Sequence, residues 1–156
     1  MVPTAHLPAG KGRYAMRVRD IMNTDVATAT PGTSIGEVAK LMADKDVGSV
    51  VIVEGGRPSG IVTDRDLVID HLAQGHTQDH AVREAVSGGN PLTGLVTVTP
   101  DMDLLEAAQE LGRHKVGRLP VVQGDQLVGI LSAGDVSKQL KKALDGLLTE
   151  GEKAER

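Results

Sequence analysis

Two short stretches of this 156-residue chain decide how it folds: Gly60-Ile61-Val62-Thr63-Asp64-Arg65-Asp66 and Gly129-Ile130-Leu131-Ser132-Ala133-Gly134-Asp135. Each begins with a glycine, continues with two aliphatic residues, and ends with a hydroxyl side chain three residues before an aspartate. The aliphatic pair predicts a short buried strand. The hydroxyl-to-aspartate spacing predicts the first turn of a helix. The chain therefore passes directly from strand to helix twice, at an interval of 69 residues.

The same interval relates much longer segments. Residues 27–67 align with residues 96–136 without a gap, and 12 of the 41 positions are identical, where chance would give about two or three. The lead-in segments Val18-Arg19-Asp20 and Val82-Arg83-Glu84 also correspond, but with an offset of 64, so the second copy has five extra residues. These lie around the turn-rich Gly88-Gly89-Asn90-Pro91. The chain is an internal duplication.

The pattern in each copy predicts strand, helix, strand, strand, helix. The first strands are expected at 26–30 and 95–99, each ended by a proline. Ser34 with Glu37, and Asp103 with Glu106, have the spacing of a helix N-cap and its capping-box partner. Helical periodicity then predicts two buried faces, formed by Ile35, Val38, Ala39 and Met42 and by Leu104, Ala107, Ala108 and Leu111. A hairpin of two strands follows in each copy, and a second helix is expected near Asp64 and near Ala133.

These predictions define the fold class as α/β (α+β), with two β-α-β-β-α repeats. A unit of about 50 residues cannot bury its apolar face alone. We therefore expect the two repeats to pack face to face as a pseudo-twofold pair. Along the chain we predict a flexible leader at 1–16, with Met16 as a possible alternative start. The first repeat with its linker is expected at 17–81, the second with a C-terminal helix at 82–148, and a charged tail at 149–156.

Composition narrows the possible functions. Hydrophobic residues make up 40% of the chain and charged residues 24%, but Tyr14 is the only aromatic residue and cysteine is absent. Modules that stack bases need aromatic platforms, and a net charge of −4 gives little attraction to nucleic acid or anionic lipid. The longest apolar run, Val50–Val53, is far shorter than a membrane span. We expect a cytoplasmic protein with neither nucleic acid nor membrane as a partner.

The duplicated pattern resembles a tandem pair of cystathionine-β-synthase (CBS) domains, also called a Bateman module. The resemblance covers about residues 17–140. Besides a Thr-x-x-Pro after each first strand, it is carried by Val47-Gly48-Ser49-Val50-Val51 and by the segment from Val116 to Val122. The two opening stretches match the family pattern Gly-h-h-Thr/Ser-x-x-Asp, in which h is apolar. Val18-Arg19-Asp20-Ile21-Met22 looks like the corresponding segment of bacterial members.

The resemblance implies a regulatory or sensing module that binds an adenine nucleotide between the repeats and pairs as a homodimer, with a regulated protein as a possible further partner. AMP, ADP and ATP are the expected ligands, with NAD and S-adenosylmethionine ranked below them. Carried over position by position, the implied ligand-binding residues are Thr28, Val47, Gly48, Ser49, Thr63, Arg65, Asp66, Thr97, Val116, Gly117, Arg118, Ser132, Gly134 and Asp135. One pocket would be served by Thr63, Arg65 and Asp66. The other would be served by Ser132, Gly134 and Asp135.

The chemistry of these residues suits such a ligand. A helix N-terminus that follows a strand favours a phosphate group. The hydroxyl of Thr63 or Ser132 can donate a hydrogen bond, and ionised Asp66 or Asp135 can accept from ribose hydroxyls. The same spacing is also an ordinary helix cap. Val51 in one copy stands where the other has Pro120, which predicts two unequal pockets.

Arg65 leaves two functions open. It either supplies positive charge to a phosphate or fills its own pocket. The alternative to nucleotide binding is therefore a ligand-free dimeric interaction module with plugged or empty clefts. The chain has no Walker motif, no Gly-x-Gly-x-x-Gly loop and no nucleophile elbow, so we expect no enzymatic activity and no catalytic residues.

Three further groups of residues invite interpretation. His71, His76 and His80 lie around Gly75, which favours a solvated loop over a metal site. The basic residues His114, Lys115 and Arg118 suggest a solvated face that could meet phosphate. Finally, residues 136–148 have the periodicity of an amphipathic helix whose end could pack on a partner chain.

Overall fold

The computed structural model describes residues 16–86 and 95–154 and shows the predicted mixed α/β architecture. The first part contains α1 (Val18–Ile21), β1 (Thr28–Ala29), α2 (Ile35–Lys45), β2 (Ser49–Glu54) and β3 (Arg57–Thr63), then a π-helical turn (Asp66–His71) and two 3-10 turns (Leu72–Gln74 and Val82–Glu84). The second part contains α3 (Leu104–His114), β4 (Arg118–Gln123), β5 (Gln126–Ser132) and α4 (Ala133–Ala154). The extra residues predicted around Gly88 to Pro91 lie outside the described ranges, as does most of the predicted leader.

The sheets of the two copies follow one plan. In the first copy β1 is parallel to β2, and β2 is antiparallel to β3. In the second copy β4 is antiparallel to β5, and the predicted first strand is reduced to a single parallel bridge between Val98 and Val121. The pairing shifts register at equivalent places, after Ile52 and after Val121. Thr63 pairs with Ser49, the first residue of β2. In the same way Ser132 pairs with Arg118, the first residue of β4.

Local sequence explains both long helices that precede the hairpins. Ser34 forms the predicted capping box, because its hydroxyl accepts from the Glu37 N–H while the Glu37 carboxylate accepts from the Ser34 N–H. Asp103 also caps α3, but through the N–H of Leu105 at 2.8 Å. The predicted faces are buried except at Ala39, which is exposed, and at Ala108, which is partly buried.

We expect Ser34→Ala to lower the free energy of unfolding by about 1 kcal/mol, because the Glu37 N–H in the first turn of α2 loses its side-chain acceptor. Urea denaturation followed by circular dichroism measures this change. Ser137→Ala on the exposed face of α4 is the control, with a change within about 0.5 kcal/mol. Equal stability of the two variants would show that the capping box contributes nothing measurable.

Each copy has its own aliphatic core, and the two copies exchange their lead-in segments. Val82 and Ala85 lie in the core of the first copy, whereas Val18 lies in the core of the second. Backbone hydrogen bonds fix both segments in place. The Val82 N–H donates to the Thr33 carbonyl, and the Val18 N–H donates to the Met102 carbonyl. Each copy thus completes its core with a segment that precedes the other copy in the chain, which keeps the two copies together.

No helix in residues 16–86 and 95–154 combines the length and the apolar character that crossing a membrane requires.

Candidate functional site

A pocket of about 230 Å³ lies where the two copies meet. Its first wall is the turn between α2 and β2, and its second wall is the junction of β5 and α4. The lining residues are Asn23, Asp46, Val47, Gly48, Ser49, Arg118, Ile130, Ser132 and Asp135. Six of these are among the predicted ligand-binding residues, namely Val47, Gly48, Ser49, Arg118, Ser132 and Asp135.

Backbone hydrogen bonds fix the glycine turns beside each strand-to-helix junction. The Gly48 carbonyl accepts from the Asp64 N–H at 3.1 Å. In the second copy the Gly117 carbonyl accepts from the Ala133 N–H at 2.8 Å. Asp46 and Lys115 directly follow the helices before these turns, and both have φ of 53°. This is a left-handed conformation in which aspartate is among the better tolerated residues. The pocket walls are therefore set by backbone geometry that the duplication repeats.

Arg118 crosses from the second copy to the first. A β-carbon at position 48 would lie 3.0 Å from the Arg118 Nη2 atom. Glycine at position 48 thus leaves space for the guanidinium group. Among the described residues, no carboxylate lies within 4.0 Å of the Arg118 guanidinium nitrogens. The positive charge at this wall of the pocket consequently has no ion-pair partner within residues 16–86 and 95–154.

The two predicted ribose-binding aspartates have different hydrogen bonds. In the first copy the Asp66 carboxylate accepts from the Thr63 N–H at 2.8 Å, and the Asp66 N–H donates to the Thr63 hydroxyl at 3.2 Å. In the second copy the Asp135 N–H donates to the Ser132 hydroxyl at 3.1 Å. The reverse bond, from the Ser132 N–H to the Asp135 carboxylate, does not occur. The Asp66 carboxylate thus takes part in a helix cap, whereas the Asp135 carboxylate lines the pocket and makes no such bond.

The other predicted ligand residues do not line this pocket. They are Thr28, Thr63, Arg65, Asp66, Thr97, Val116, Gly117 and Gly134. Arg65 is exposed and does not plug this pocket, whereas Arg118 reaches into it. Of the predicted basic cluster, His114 lies 3.2 Å from Glu110 and Lys115 is exposed, so only Arg118 faces the site.

Three lining residues, Asn23, Asp46 and Ile130, were not predicted. Asn23 and Ile130 exchange two backbone hydrogen bonds of 2.9 Å, a pairing across more than 100 residues that no local pattern signals. Asp46 could have been found, because an aspartate directly after a helix and before Val47-Gly48 fits a left-handed helix end.

The interpretation of the three histidines as a solvated loop is wrong for one of them. His71 has only 1% of its surface exposed. Its Nε2 atom lies 2.8 Å from the Thr77 carbonyl oxygen.

Comparison with known proteins identifies the duplicated unit. The family model described as "CBS domain" matches residues 18–69 and 89–142, which is more than half of the chain. The chain belongs to the CBS domain family. This CBS domain pair confirms the resemblance seen in the two opening stretches, and with it the predicted tandem architecture.

Sequence and structure relatives agree with that assignment. The CBS pair is 40% identical over 120 residues to the CBS domain-containing protein YhcV of Bacillus subtilis, covering 77% of this chain and 82% of YhcV. It is similar to the crystal structure of hypoxic response protein I with two coordinated zinc ions, at 28% identity and a TM-score of 0.69, covering 79% and 98% of the two chains. It is also similar to the CBS domain pair of protein MJ0100 in complex with 5′-methylthioadenosine and S-adenosylmethionine, at 25% identity and a TM-score of 0.70, covering 80% and 99%.

Proposed function

We propose that this CBS pair is a regulatory module that binds an adenine nucleotide in the pocket between its two copies. The observation that carries the proposal is the presence of one guanidinium, that of Arg118, and two carboxylates, those of Asp46 and Asp135, on one pocket of about 230 Å³. The Arg118 guanidinium and the Asp135 carboxylate both line it, and within the described part of the chain neither is neutralised by an ion pair. A nucleotide carries complementary groups for both, namely an anionic phosphate and a ribose diol.

The chemistry assigns one part of the ligand to each wall. Arg118 offers guanidinium donors, which bind phosphate oxygens with charge-assisted hydrogen bonds. Helix α4 begins directly after Ser132, and its positive N-terminal end reinforces the preference for an anion. Asp135 can only accept hydrogen bonds when ionised, so it suits the ribose hydroxyls. The side chains of Val47 and Ile130 supply an aliphatic wall for the adenine ring.

The relative with known ligands supports the class of molecule. The MJ0100 pair is solved with two adenosine-containing ligands, neither of which has a phosphate. The presence of Arg118 in the pocket of this chain favours a phosphorylated adenosine, so we rank AMP, ADP and ATP above S-adenosylmethionine. The ligand-free alternative has clefts that are either empty or plugged by Arg65, and the exposed Arg65 side chain gives the plugged form no support.

Isothermal titration calorimetry of the full chain with AMP, ADP, ATP and S-adenosylmethionine tests the proposal. We expect saturable binding of at least one phosphorylated ligand. The absence of both heat and thermal shift with all four ligands at millimolar concentration would overturn nucleotide binding.

We also propose that the module acts as a homodimer, with α4 in the contact. Leu144, Leu147 and Leu148 are 59%, 67% and 65% exposed on this 22-residue helix. They recur at the spacing of one helix face, and burial against a second copy would remove this apolar surface from water.

We expect Leu144→Lys combined with Leu147→Lys to shift the protein from dimer to monomer in sedimentation velocity, because two charges would have to enter an apolar contact. Lys142→Ala, on the opposite face of the same helix, is the control and should leave the dimer intact. A double variant that sediments like the unchanged protein would place the contact elsewhere.

A further inference from the structure

Three histidine rings form a compact triangle after β3, and none of them lines the pocket near Arg118. The ring centroids of His71 and His76 are 5.2 Å apart, those of His71 and His80 are 5.2 Å apart, and those of His76 and His80 are 5.4 Å apart. Zinc–nitrogen bonds of about 2.0–2.1 Å at tetrahedral angles place the centroids of three ligating imidazoles about 5 Å apart. The triangle therefore has the size of a three-histidine metal site.

The backbone that carries the rings is held in place. The His76 N–H donates to the His71 carbonyl at 3.3 Å across the turn at Gly75, where φ is 85°. The loop is also tied to the start of α2, because the Ile35 N–H donates to the His80 carbonyl at 2.9 Å. The histidines consequently remain close together without a metal to gather them.

A hydrogen bond orients one of the three rings, and a second ring lies beside a carboxylate. The His71 Nε2 atom is 2.8 Å from the Thr77 carbonyl oxygen, which can only accept. A neutral His71 therefore carries its proton on Nε2, and the lone pair of Nδ1 is available to a cation. The His80 Nδ1 atom lies 3.7 Å from the Glu84 carboxylate, which favours Nε2 as its ligand atom. Carbonyl or carboxylate partners behind ligating imidazoles are a common feature of metal sites.

We propose that His71, His76 and His80 bind a divalent transition metal ion of the zinc class. In the described residues no group of three histidine, aspartate or glutamate side chains already has metal-binding geometry. Binding therefore requires rotation of the exposed His76 ring and of the half-buried His80 ring toward the buried His71 ring. Water completes a tetrahedral set of four ligands.

Such a site would couple metal binding to the connection between the copies. His71 ends the π-helical turn after β3, whereas His80 lies just before Val82, the lead-in residue that completes the core of the first copy. A metal bridging these positions would fix the connecting loop, so binding would stabilise the folded chain.

The test is titration of the chelator-treated full chain with Co²⁺, which reports tetrahedral coordination by its visible absorption, and with Zn²⁺ by calorimetry. We expect one ion per chain at this site, a rise in the melting temperature, and affinity reduced at least tenfold in His76→Ala and in His80→Ala. Both substitutions remove exposed or half-buried side chains, so melting of the metal-free variants checks that they remain folded.

His114→Ala is the matched control, because it removes one histidine outside the triangle. It should bind metal like the unchanged protein. The absence of tetrahedral Co²⁺ absorption, or equal affinity in the unchanged protein and the His76→Ala/His80→Ala double variant, would overturn the proposal. The titration contains no nucleotide, so its outcome is independent of the proposed function.

Discussion

Asp135→Ala is expected to weaken nucleotide binding by roughly tenfold to a hundredfold, the cost of losing hydrogen bonds to a charged acceptor. The Asp135 carboxylate lines the pocket and takes no hydrogen bond from the Ser132 N–H. It can therefore accept from both ribose hydroxyls without first breaking a bond within the protein. Calorimetric titration with the tightest-binding nucleotide measures the loss.

The matched control is Asp66→Ala, the equivalent position in the first copy. Its carboxylate does not line the pocket and accepts from the Thr63 N–H at 2.8 Å, so its removal should leave nucleotide affinity nearly unchanged. It should instead lower the free energy of unfolding by about 1 kcal/mol through loss of the helix cap. If Asp66→Ala weakened binding as much as Asp135→Ala, the two aspartates would be equivalent, contrary to their hydrogen bonds.

Arg118→Ala is expected to weaken ATP binding by about tenfold to a hundredfold while changing adenosine binding much less. The guanidinium group is the positive charge that lines the pocket, and charge-assisted bonds to phosphate are of this magnitude. The effect should shrink as salt is raised, because ions screen a partly exposed charge. Titrations with ATP and adenosine at two salt concentrations measure both differences.

Two further variants sharpen this result. Arg118→Lys keeps the charge but removes the planar fork, so its ATP affinity should lie between those of the unchanged protein and Arg118→Ala. Arg113→Ala removes an exposed arginine that is paired with Glu110 at 2.6 Å, and it should bind ATP normally. Equal losses for ATP and adenosine in Arg118→Ala would show that this side chain shapes the pocket without contacting phosphate.

The position of the pocket between the two copies has a consequence for regulation. A single nucleotide would contact the Gly48 turn of the first copy and the Ser132 junction of the second at the same time. Its binding energy would then favour one relative orientation of the two copies. A ligand that binds one orientation more tightly than another shifts the population between them, and this shift is the signal. Because the lead-in segments Val18 and Val82 lie in opposite cores, a change in that relation would reach both copies.

Much of the fold was predictable because its determinants are local. Three features depend only on residues within two helical turns or one strand. They are the capping box of Ser34 and Glu37, the buried face of Ile35, Val38 and Met42, and the strand that ends at Thr63. The hydrophobic periodicity of α3 predicted its buried face for the same reason. The first strand of the second copy was overestimated, since only Val98 pairs with a neighbour, and strand pairing depends on a partner that local pattern does not reveal.

The site was predictable only in part. The family resemblance implied Gly48, Ser132 and Asp135, which line the pocket, but the repeated motif alone treats Asp66 and Asp135 as equal. Their difference arises from one hydrogen bond, made in the first copy and missing in the second. Asn23 escaped notice because its pairing with Ile130 spans most of the chain.

The sequence by itself determined that this protein is a duplicated β-α-β-β-α unit with an aliphatic interior, because repeat spacing, helix caps and hydrophobic periodicity are local or internally repeated signals. Only the tertiary structure decided which halves of the two motifs share a pocket, that Arg118 rather than Arg65 enters it, and that Val18 and Val82 exchange cores. These features depend on contacts between segments that are distant in the chain. Packing and hydrogen bonding in three dimensions determine the free energies of such contacts, and no periodic pattern in the sequence reports them.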